Sequence, residues 1–265
     1  MEINGKVFVI TGAGNGIARE VTLQLLARGA RVAGVDLSAD GLAETGALAA
    51  AGDRFSAHAV NIADRDAVAA LPEAVLAAHG QIDGLLNIAG VIQKFVKVAD
   101  LDFSEMEKVM NVNFWGVMHT VKAFLPHLVA RPEAALVNVA SMGAYAPVPG
   151  QAVYGASKAA VTLLTEALYA ELMGTSVAVS IVFPGAIGTN IAANSGLDMG
   201  GASAETSTHK TTPPAKAGEV IVETIEKGRF RATIGSDAAT MDRLSRLNPK
   251  MATRMIAKQM GDLLN

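Results

Sequence analysis

The chain has 265 residues, of which 51% are hydrophobic, and a net charge of −3, which suits one large α/β domain and gives no basic surface for nucleic acid. It contains no cysteine, which excludes disulfides, a thiolate nucleophile and cysteine-ligated metal sites. An apolar run begins at residue 6 and no apolar segment reaches ~20 residues, so we expect no targeting peptide, no membrane span and a cytoplasmic location.

Short runs rich in β-branched residues predict seven strands, at 6–11, 31–36, 55–60, 84–89, 135–140, 177–182 and 231–235. Their nearly continuous apolar character is typical of parallel strands that are buried on both faces. Segments with helical spacing of apolar residues lie between them, at 16–29, 66–79, 103–130, 153–173 and 215–227. This alternation predicts an α/β fold with a doubly wound parallel sheet and helices on both faces, formed by residues 1–265 as one domain.

One long connection interrupts the alternation of strands and helices. Residues 189–214 are small and polar, include several glycines and have no strong periodicity. A connection of that length in a compact domain is usually a functional lid or a disordered segment. We interpret 189–214 as a substrate lid.

The C-terminal residues 237–265 are predicted to form a helical extension, which Pro249 divides into two short helices. Basic residues recur there every four positions, with methionines beside them, at Lys250, Arg254, Lys258, Met251 and Met255. Such a pattern is most often a solvated basic face over a packed apolar face. A basic amphipathic helix that touches a membrane or a partner is the weaker alternative.

The turn between the first predicted strand and the first predicted helix contains three glycines. In the stretch VFVITGAGNGIARE, Gly12, Gly14 and Gly16 would let the backbone approach a pyrophosphate, which then lies at the N-terminus of the helix. The alternating spacing departs from G-x-G-x-x-G. A βα turn without a ligand therefore remains an alternative for this turn taken alone.

An acidic residue ends the second predicted strand in the sequence GVDLS. Asp36 could accept hydrogen bonds from both ribose hydroxyls of NAD and would repel the 2′-phosphate of NADP. Neither Leu37 nor Asn15 supplies the cation that a 2′-phosphate requires. NAD is therefore predicted over NADP, with a carboxylate that merely caps a turn as the alternative reading of Asp36.

A tyrosine and a lysine lie four positions apart in the sequence YGASK. Tyr154 and Lys158 would share one face of a helix, because residues at i and i+4 are neighbours there. Taken alone, the spacing is more typical of an exposed pair than of a catalytic one. The remaining motifs change that interpretation.

Five separated motifs occur in order: TGAGNGIA at 11–18, NIAG at 87–90, Ser141, YGASK at 154–158 and PGAIGT at 184–189. Together they resemble the short-chain dehydrogenase/reductase family, in its compact single-domain branch with a Rossmann-type fold. The resemblance covers about residues 5–190. It implies an NAD(H)-dependent oxidoreductase that interconverts a secondary alcohol and a ketone. Two positions depart from the family pattern, since Ala18 replaces a glycine and Ile88 replaces an asparagine.

The resemblance also implies the residues that bind the cofactor. They are Gly12, Gly14, Asn15, Gly16, Ile17, Asp36, Leu37, Asn61, Ile62, Asn87, Ala89, Gly90, Tyr154, Lys158, Pro184, Gly185, Ile187 and Thr189. Asn87 and Gly90 would shape the strand end beside the adenosine ribose, and Asn61 would contact the adenine in place of the usual aspartate. Ile187 and Thr189 would fix the carboxamide and so present the pro-S hydride face to the substrate.

A catalytic tetrad is implied in the same way, formed by Asn113, Ser141, Tyr154 and Lys158. Tyr154 would take the hydroxyl proton as hydride leaves the carbon, although a free phenol with a pKa near 10 is a poor base at neutral pH. Lys158 and the positively charged nicotinamide would lower that pKa. Ser141 would hold the substrate oxygen. Asn113, rather than Asn111, would hold a water that passes protons from Lys158 toward solvent.

The substrate pocket is expected to lie between the loops near these residues and the 189–214 segment. Its candidate residues are Gln93, Phe95, Met142, Gly143, Tyr145, Val148 and Gln151. They are mostly apolar and include no cation that could clamp a carboxylate or phosphate. They predict a neutral, moderately hydrophobic alcohol or ketone, although each could equally be a packing residue.

Segments 103–130 and 153–173 carry apolar residues around most of their circumference. Relatives pair these helices across a two-fold axis, which implies a homodimer or homotetramer. The alternative function is a non-catalytic NAD(H)-binding regulatory or scaffold protein on the same fold, against which the complete tetrad argues. A serine hydrolase is excluded because no G-x-S-x-G surrounds Ser141 or Ser157, and the absence of H-E-x-x-H gives no reason to expect zinc.

Overall fold

The computed structural model describes residues 1–189, 191–197 and 211–260. Within these residues, seven parallel strands form one sheet in the order β3-β2-β1-β4-β5-β6-β7. The strands are β1 (Val7–Thr11), β2 (Arg31–Asp36), β3 (Phe55–Ala59), β4 (Gly84–Asn87), β5 (Ala134–Val139), β6 (Val177–Pro184) and β7 (Arg231–Ile234). The predicted fold class and all seven predicted strands are confirmed.

Helices cover both faces of the sheet. On one side lie α1 (Gly16–Ala27), α2 (Ala39–Ala49) and α9 (Pro214–Glu226). On the other lie α3 (Arg65–Ala69), α4 (Leu71–His79), α6 (Gly116–Val129) and α7 (Ala152–Glu171), with α5 (Phe103–Met110) leading into α6. Each face has its own apolar core, and the burial of one large side chain such as Phe124 stabilises the fold by about 1.5–3 kcal/mol.

Three helical features differ from the predicted pattern. The predicted helix at 66–79 is divided into α3 and α4, because Pro72 lies in the first turn of α4, where a missing N–H is tolerated. The predicted helix at 103–130 is interrupted by a π-helical turn at Asn111–Trp115. Helix α2 lies outside the predicted segments, since it buries few apolar side chains and depends on a cap from Ser38.

The strand order places the crevice of the sheet between β1 and β4. The chain leaves β1 toward β2 and β3 on one side, and continues from β4 to β7 on the other. In sheets of this type, ligands bind outside the carboxyl ends of the strands at this switch point. Thr11 and Asn87, the last residues of the two strands, are paired in register at this edge.

The described part of the C-terminal region forms helices α10 (Ser236–Leu247) and α11 (Pro249–Met260). Helix α11 packs through Ala252 and Ile256 against Met241 of α10. Met251 and Met255 are 51% and 41% exposed. The packed apolar face of α11 is therefore formed by Ala252 and Ile256 and does not include the two methionines.

The predicted lid is described only in part. A short helix, α8 (Ile191–Asn194), follows β6, and Pro214 begins α9. Residues 190 and 198–210 lie outside the described residues. Over the ranges that are described, no helix combines the length and the apolar composition needed to cross a membrane.

A pair of histidines at the β3 edge predicts acid-sensitive stability. Ser56 Oγ lies 2.8 Å from Nε2 of both His58 and His79. Burial lowers the pKa of both imidazoles, with the Arg31 charge adding to the effect at His79. In the unfolded chain these histidines bind protons near pH 6.5, whereas in the folded chain they bind them only at lower pH. The free energy of unfolding should therefore fall as the pH drops below about 6.5.

This expectation can be measured by urea unfolding at about pH 7.5 and pH 5.5. Replacing His79 with glutamine should reduce the difference between the two free energies of unfolding. His127→Gln, on α6, is the matched control and should leave the difference as it is. An equal difference in His79→Gln and wild-type protein would show that these histidines do not cause it.

Candidate active site

A cavity of about 330 Å³ lies at the carboxyl edge of the sheet. Sixteen of the eighteen predicted cofactor residues line it: Gly12, Asn15, Gly16, Ile17, Asp36, Leu37, Asn61, Ile62, Ala89, Gly90, Tyr154, Lys158, Pro184, Gly185, Ile187 and Thr189. Ser141 lines the same cavity, whereas Gly14, Asn87 and Asn113 do not. The structure therefore brings the predicted cofactor residues and three of the four predicted catalytic side chains together in one place.

The glycine loop allows β1 and β4 to approach closely. Gly12 has a φ of +80°, and a Cβ there would lie 3.0 Å from Cα of Ala89. The side chain of Asn15, which precedes α1, does not cap the helix but accepts a hydrogen bond from Asn194 Nδ2 at 2.9 Å. The first-turn N–H groups of α1 thus have no side-chain cap from Asn15, and with the helix dipole they suit a pyrophosphate.

The carboxylate of Asp36 is held at the end of β2 by two backbone amides. Its Oδ2 accepts from Gly14 N at 2.8 Å and its Oδ1 from Ser38 N at 2.9 Å. A Cβ at Gly14 would lie 2.9 Å from the Asp36 carboxylate carbon. Gly14 therefore makes room for Asp36 rather than lining the cavity itself. The remaining lone pairs of the carboxylate could accept from ribose hydroxyls.

The end of β4 is shaped by Thr11 more directly than by Asn87. Thr11 Oγ1 accepts from Ile88 N at 3.0 Å and from Ala89 N at 3.2 Å. Asn87 is buried, and its amide bonds to Asn138 on β5 and Thr120 on α6, at 2.9 and 2.7 Å. Asn87 thus links the sheet to α6, and the cavity is lined by the residues that follow it, Ile88 and Ala89. The position of Thr11 at the start of the glycine motif was the available sequence signal.

The Tyr154–Lys158 pair lies on the first turns of α7. Lys158 is buried, its Nζ donates to Val139 O at 3.0 Å, and burial lowers its pKa to about 8. Tyr154 is partly exposed where it lines the cavity, yet burial raises the pKa of its phenol, against the opposing effect of a hydrogen bond with Ser141. Burial thus dominates the pKa of the phenol in this structure, and the Lys158 ammonium is directed to a backbone carbonyl. Two of the three Nζ donors are left for other partners.

Ser141 follows β5 and faces the tyrosine across a glycine. Its Oγ accepts from Gly143 N at 3.0 Å, and its own proton, which serves the hydrogen bond with Tyr154 in this structure, could be donated to a substrate oxygen instead. A Cβ at Gly143 would lie 3.4 Å from both Ser141 Oγ and Tyr154 Cε1. The absence of a side chain at Gly143 leaves space beside the two hydroxyl groups.

Asn113 lies in the π-helical turn, where the chain departs from α-helical hydrogen bonding. Its Oδ1 accepts from Val91 N at 2.8 Å, and its Nδ2 donates to Val91 O and Ser157 Oγ at 2.9 and 3.0 Å. Both amide donors are therefore used, and the side chain holds the loop after β4. A water could be held only through the remaining acceptor capacity of Asn113. Gly90 completes this corner, because a Cβ there would lie 3.1 Å from Lys158 Nζ.

None of the seven predicted substrate residues lines this cavity. Gln93 and Gln151 are buried and hydrogen-bonded to each other, and Phe95 is partly buried. Three of the others pack against the α10–α11 pair: Met142, Tyr145 and Val148. The Tyr145 hydroxyl donates to Ala238 O at 2.9 Å. The packing alternative thus describes most of these residues in this structure.

Asp237, at the start of α10, is a site residue that sequence reasoning missed. Its Oδ2 accepts from Ala186 N at 2.8 Å, and a Cβ at Gly185 would lie 2.2 Å from that oxygen. The PGAIGT turn, which the resemblance assigns to the carboxamide, is therefore braced by the C-terminal region. The sequence signal for this contact was weak, because a single aspartate that lies 51 residues from its partner belongs to no recognisable motif.

We predict that Asp237→Ala weakens NADH binding by roughly tenfold, because a hydrogen bond to a charged group contributes about 1.5–3 kcal/mol and only part of it reaches the ligand. Fluorescence titration with NADH measures the dissociation constant. Asp237→Asn is the matched control, since its amide oxygen can still accept from Ala186 N, and it should bind nearly as well as wild type. Equal affinity in Asp237→Ala and wild-type protein would contradict the role of this brace.

The sequence model of the short chain dehydrogenase family matches residues 6–200, about three quarters of the chain. The chain belongs to the short-chain dehydrogenase family. The resemblance inferred from the five motifs is thereby confirmed, and the protein is an oxidoreductase of this family. Among the residues that the structure describes, no group of three or more histidine or acidic side chains could hold a metal ion.

Two curated relatives in the short-chain dehydrogenase family show how far the similarity extends. SadH of Mycobacterium tuberculosis is 37% identical over 261 residues, which cover 96% of this chain and 94% of SadH. The 1-deoxy-11-beta-hydroxypentalenate dehydrogenase of Streptomyces avermitilis is 33% identical over 245 residues, covering 91% and 88% of the two chains. The similarity therefore includes most of the region after residue 200.

Solved structures of the family share the fold and differ in cofactor. A short-chain dehydrogenase/reductase from Burkholderia phymatum, in complex with NAD, has a TM-score of 0.85 and 27% identity, covering 95% of this chain and 96% of its own. A short-chain dehydrogenase from Burkholderia cenocepacia, in complex with NADP, has a TM-score of 0.82 and 25% identity, covering 97% and 99%. Fold similarity alone therefore does not choose between the two cofactors.

Proposed function

We propose that this short-chain dehydrogenase interconverts a secondary alcohol and a ketone with NAD(H). The observation that carries the proposal is that Ser141, Tyr154 and Lys158 line the same cavity as the glycine loop and Asp36. A non-catalytic NAD(H)-binding protein would need the glycine loop and Asp36 but not a hydroxyl pair beside a buried lysine. The groups needed for binding and for proton transfer thus lie side by side.

In the proposed oxidation, Tyr154 removes the proton of the alcohol hydroxyl, and Ser141 donates its own hydroxyl proton to the alcohol oxygen in place of its hydrogen bond with Tyr154. When bound, NAD⁺ supplies the hydride acceptor and a positive charge near the phenol. The phenol needs that charge, because burial alone raises its pKa and makes it a weaker acid. Lys158 has donors left for the ribose and for the phenol. In the direction of reduction, Tyr154 returns the proton to the carbonyl oxygen.

The preference for NAD rests on the end of β2. Asp36 is placed by two backbone amides, and the next residue, Leu37, is 76% exposed and carries no charge. A 2′-phosphate beside this carboxylate would meet a like charge, which costs several kcal/mol. The NAD complex of the B. phymatum relative is in keeping with this choice, whereas the NADP complex of the B. cenocepacia relative makes a direct test necessary.

A neutral, moderately hydrophobic substrate suits the wall of the cavity. Apolar side chains dominate that wall, including Val91, Ile92, Val112 and Ile191. Among the described lining residues, Lys158 is the one cation, and it is committed to the catalytic pair.

The proposed function is tested by NADH formation with a panel of neutral secondary alcohols, with NAD⁺ and NADP⁺ in parallel. We expect turnover with NAD⁺ that increases with the apolar area of the alcohol. Turnover with NADP⁺ alone would contradict the cofactor assignment. Tight NADH binding without turnover on any alcohol or ketone would favour the regulatory alternative.

A homodimer or homotetramer is proposed from the outer faces of α6 and α7. A groove between these helices is lined by apolar side chains that include Met118, Val121, Leu125, Val129, Leu164 and Leu168. Nearby, Trp115 is 49% exposed and Leu163 is 70% exposed.

Sedimentation of the wild-type protein should show a dimer or tetramer. Leu163→Arg should weaken this assembly, so that the variant dissociates at a higher protein concentration than wild type does. A monomer at micromolar concentration would contradict this assembly.

A further inference from the structure

Helix α7, which carries Tyr154, begins without a cap from its own N-terminal residues. Gln151 precedes the helix, but its side chain makes no cap hydrogen bond. The N–H groups of a first helical turn need acceptors from outside the helix. Here Gln93 Oε1 accepts from Val153 N at 2.9 Å and from Tyr154 N at 3.0 Å. The acceptor thus comes from a loop 61 residues earlier in the chain and bonds to the backbone of the tyrosine itself.

The side chain of Gln93 is fixed by further hydrogen bonds. Its Nε2 donates to Gly150 O at 3.0 Å, and its backbone carbonyl accepts from Gln151 Nε2 at 2.7 Å. Gln93 is fully buried and Gln151 is 4% exposed. A buried amide with this pattern of donors and acceptors has one orientation, since any rotation leaves buried polar groups without partners. A carboxylate at position 93 could not donate to Gly150 O.

The loop that carries Gln93 also forms part of the cavity wall. Val91 exchanges two hydrogen bonds with the amide of Asn113, and Ile92 N donates to Ser195 Oγ at 2.9 Å. Val91 and Ile92 both line the cavity. The backbone of Tyr154 is therefore tied, through Gln93, to the wall that the substrate would contact.

We propose that Gln93 is a positioning residue for the general base. Its side-chain amide fixes the first turn of α7 against the loop after β4 and so sets the distance from the Tyr154 phenol to the substrate hydroxyl. This inference rests on the proposed function, and it replaces the expectation that Gln93 contacts the substrate. A displacement of about 1 Å in a reacting group can cost on the order of 100-fold in rate, so a loosened first turn should slow turnover.

The test compares Gln93→Met, which keeps a similar volume and removes these side-chain hydrogen bonds, with wild-type protein. We expect kcat to fall roughly 10- to 100-fold, while the KM for NAD⁺ stays close to wild type. Gln24→Met is the matched control: it removes a glutamine hydrogen bond to Ala215 O far from α7, and it should lose stability without this loss of kcat. Gln93→Glu can still accept from the two N–H groups but adds a negative charge beside the backbone of Tyr154, so the acidic limb of its kcat/KM profile should move to higher pH.

Hydrogen exchange of peptides covering 152–156 separates a failure of this inference from a failure of the proposed function. In Gln93→Met these amides should exchange faster than in wild type, whether or not any alcohol is oxidised. Unchanged exchange overturns the inference, as does a folded Gln93→Met with wild-type kcat and pH profile. If wild-type protein oxidises no alcohol, the proposed function fails, and the exchange result alone then decides whether Gln93 holds the tyrosine.

Discussion

Replacing Tyr154 with phenylalanine is expected to lower kcat for alcohol oxidation by roughly 10²- to 10⁴-fold, the range that positioned proton transfer contributes. The reason is that neither of the other two predicted catalytic side chains that line the cavity can take the hydroxyl proton as well. Ser141 Oγ accepts from Gly143 N and has an unactivated hydroxyl, and Lys158 Nζ donates to Val139 O. Steady-state NADH formation with the best alcohol measures the loss.

The same substitution should leave the cofactor site intact. Tyr154 is partly exposed, so the removal of one oxygen opens no cavity in the core, and the dissociation constant for NADH should stay close to wild type. In wild-type protein, kcat/KM for oxidation should rise with pH on an acidic limb, because the phenol must lose its proton and burial raises its pKa. That limb should vanish in Tyr154→Phe. Wild-type turnover in the variant would disprove the assignment of Tyr154 as base.

Replacing Asp36 should produce the second large effect, a change of cofactor preference. Asp36→Ala combined with Leu37→Arg is expected to lower the ratio of kcat/KM for NAD⁺ over NADP⁺ by about 10³-fold. The change removes hydrogen bonds from a carboxylate to the ribose, which contribute about 1.5–3 kcal/mol each, and it replaces a repulsive charge by an attractive one. Parallel kinetics with the two cofactors measure the ratio directly.

Asp36→Asn is the control for damage to the glycine loop. The carboxylate also accepts from Gly14 N and Ser38 N, so its removal could disturb the loop without any change in specificity. Asparagine keeps one of the two acceptors and no charge, and it should therefore reduce the preference for NAD⁺ while lowering the melting temperature less than alanine does. A preference for NAD⁺ that survives in both variants would mean that Asp36 does not select the cofactor.

Local sequence patterns predicted the sheet, and the family resemblance placed sixteen of the proposed cofactor residues where they line one cavity. The buried strands have nearly unbroken apolar runs. Asp36 ends one such strand and the PGAIGT turn begins at the last residue of another, so their place at the carboxyl edge could be predicted. Chain-order motifs brought Ser141 and Tyr154 together for the same reason. Each of these predictions depends on residues that are close to a strand end in the sequence.

The remainder of the site depends on hydrogen bonds between distant loops, which no periodicity reveals. Gln93 was predicted as a substrate contact because it follows Gly90, but its partners lie at 150–154. Asp237 bonds across 51 residues. Met251 and Met255 are exposed, because Ala252 and Ile256, one position further along the helix, make the contact with α10.

Because of the π-helical turn at Asn111–Trp115, the continuous helical segment from α5 to α6 needs a fixed number of residues. A π-turn holds one residue more than α-helical bonding would accommodate between the same ends. Deleting a single residue here would restore α-helical bonding between the same ends, whereas a deletion in α6 itself, before Thr120, would rotate everything after it by ~100° relative to α5. Phe124 and Leu128 would then leave the core, and Thr120 would leave Asn87. When this scaffold is recombined or redesigned, surface loops can change length, whereas α5 and α6 must be exchanged as one piece.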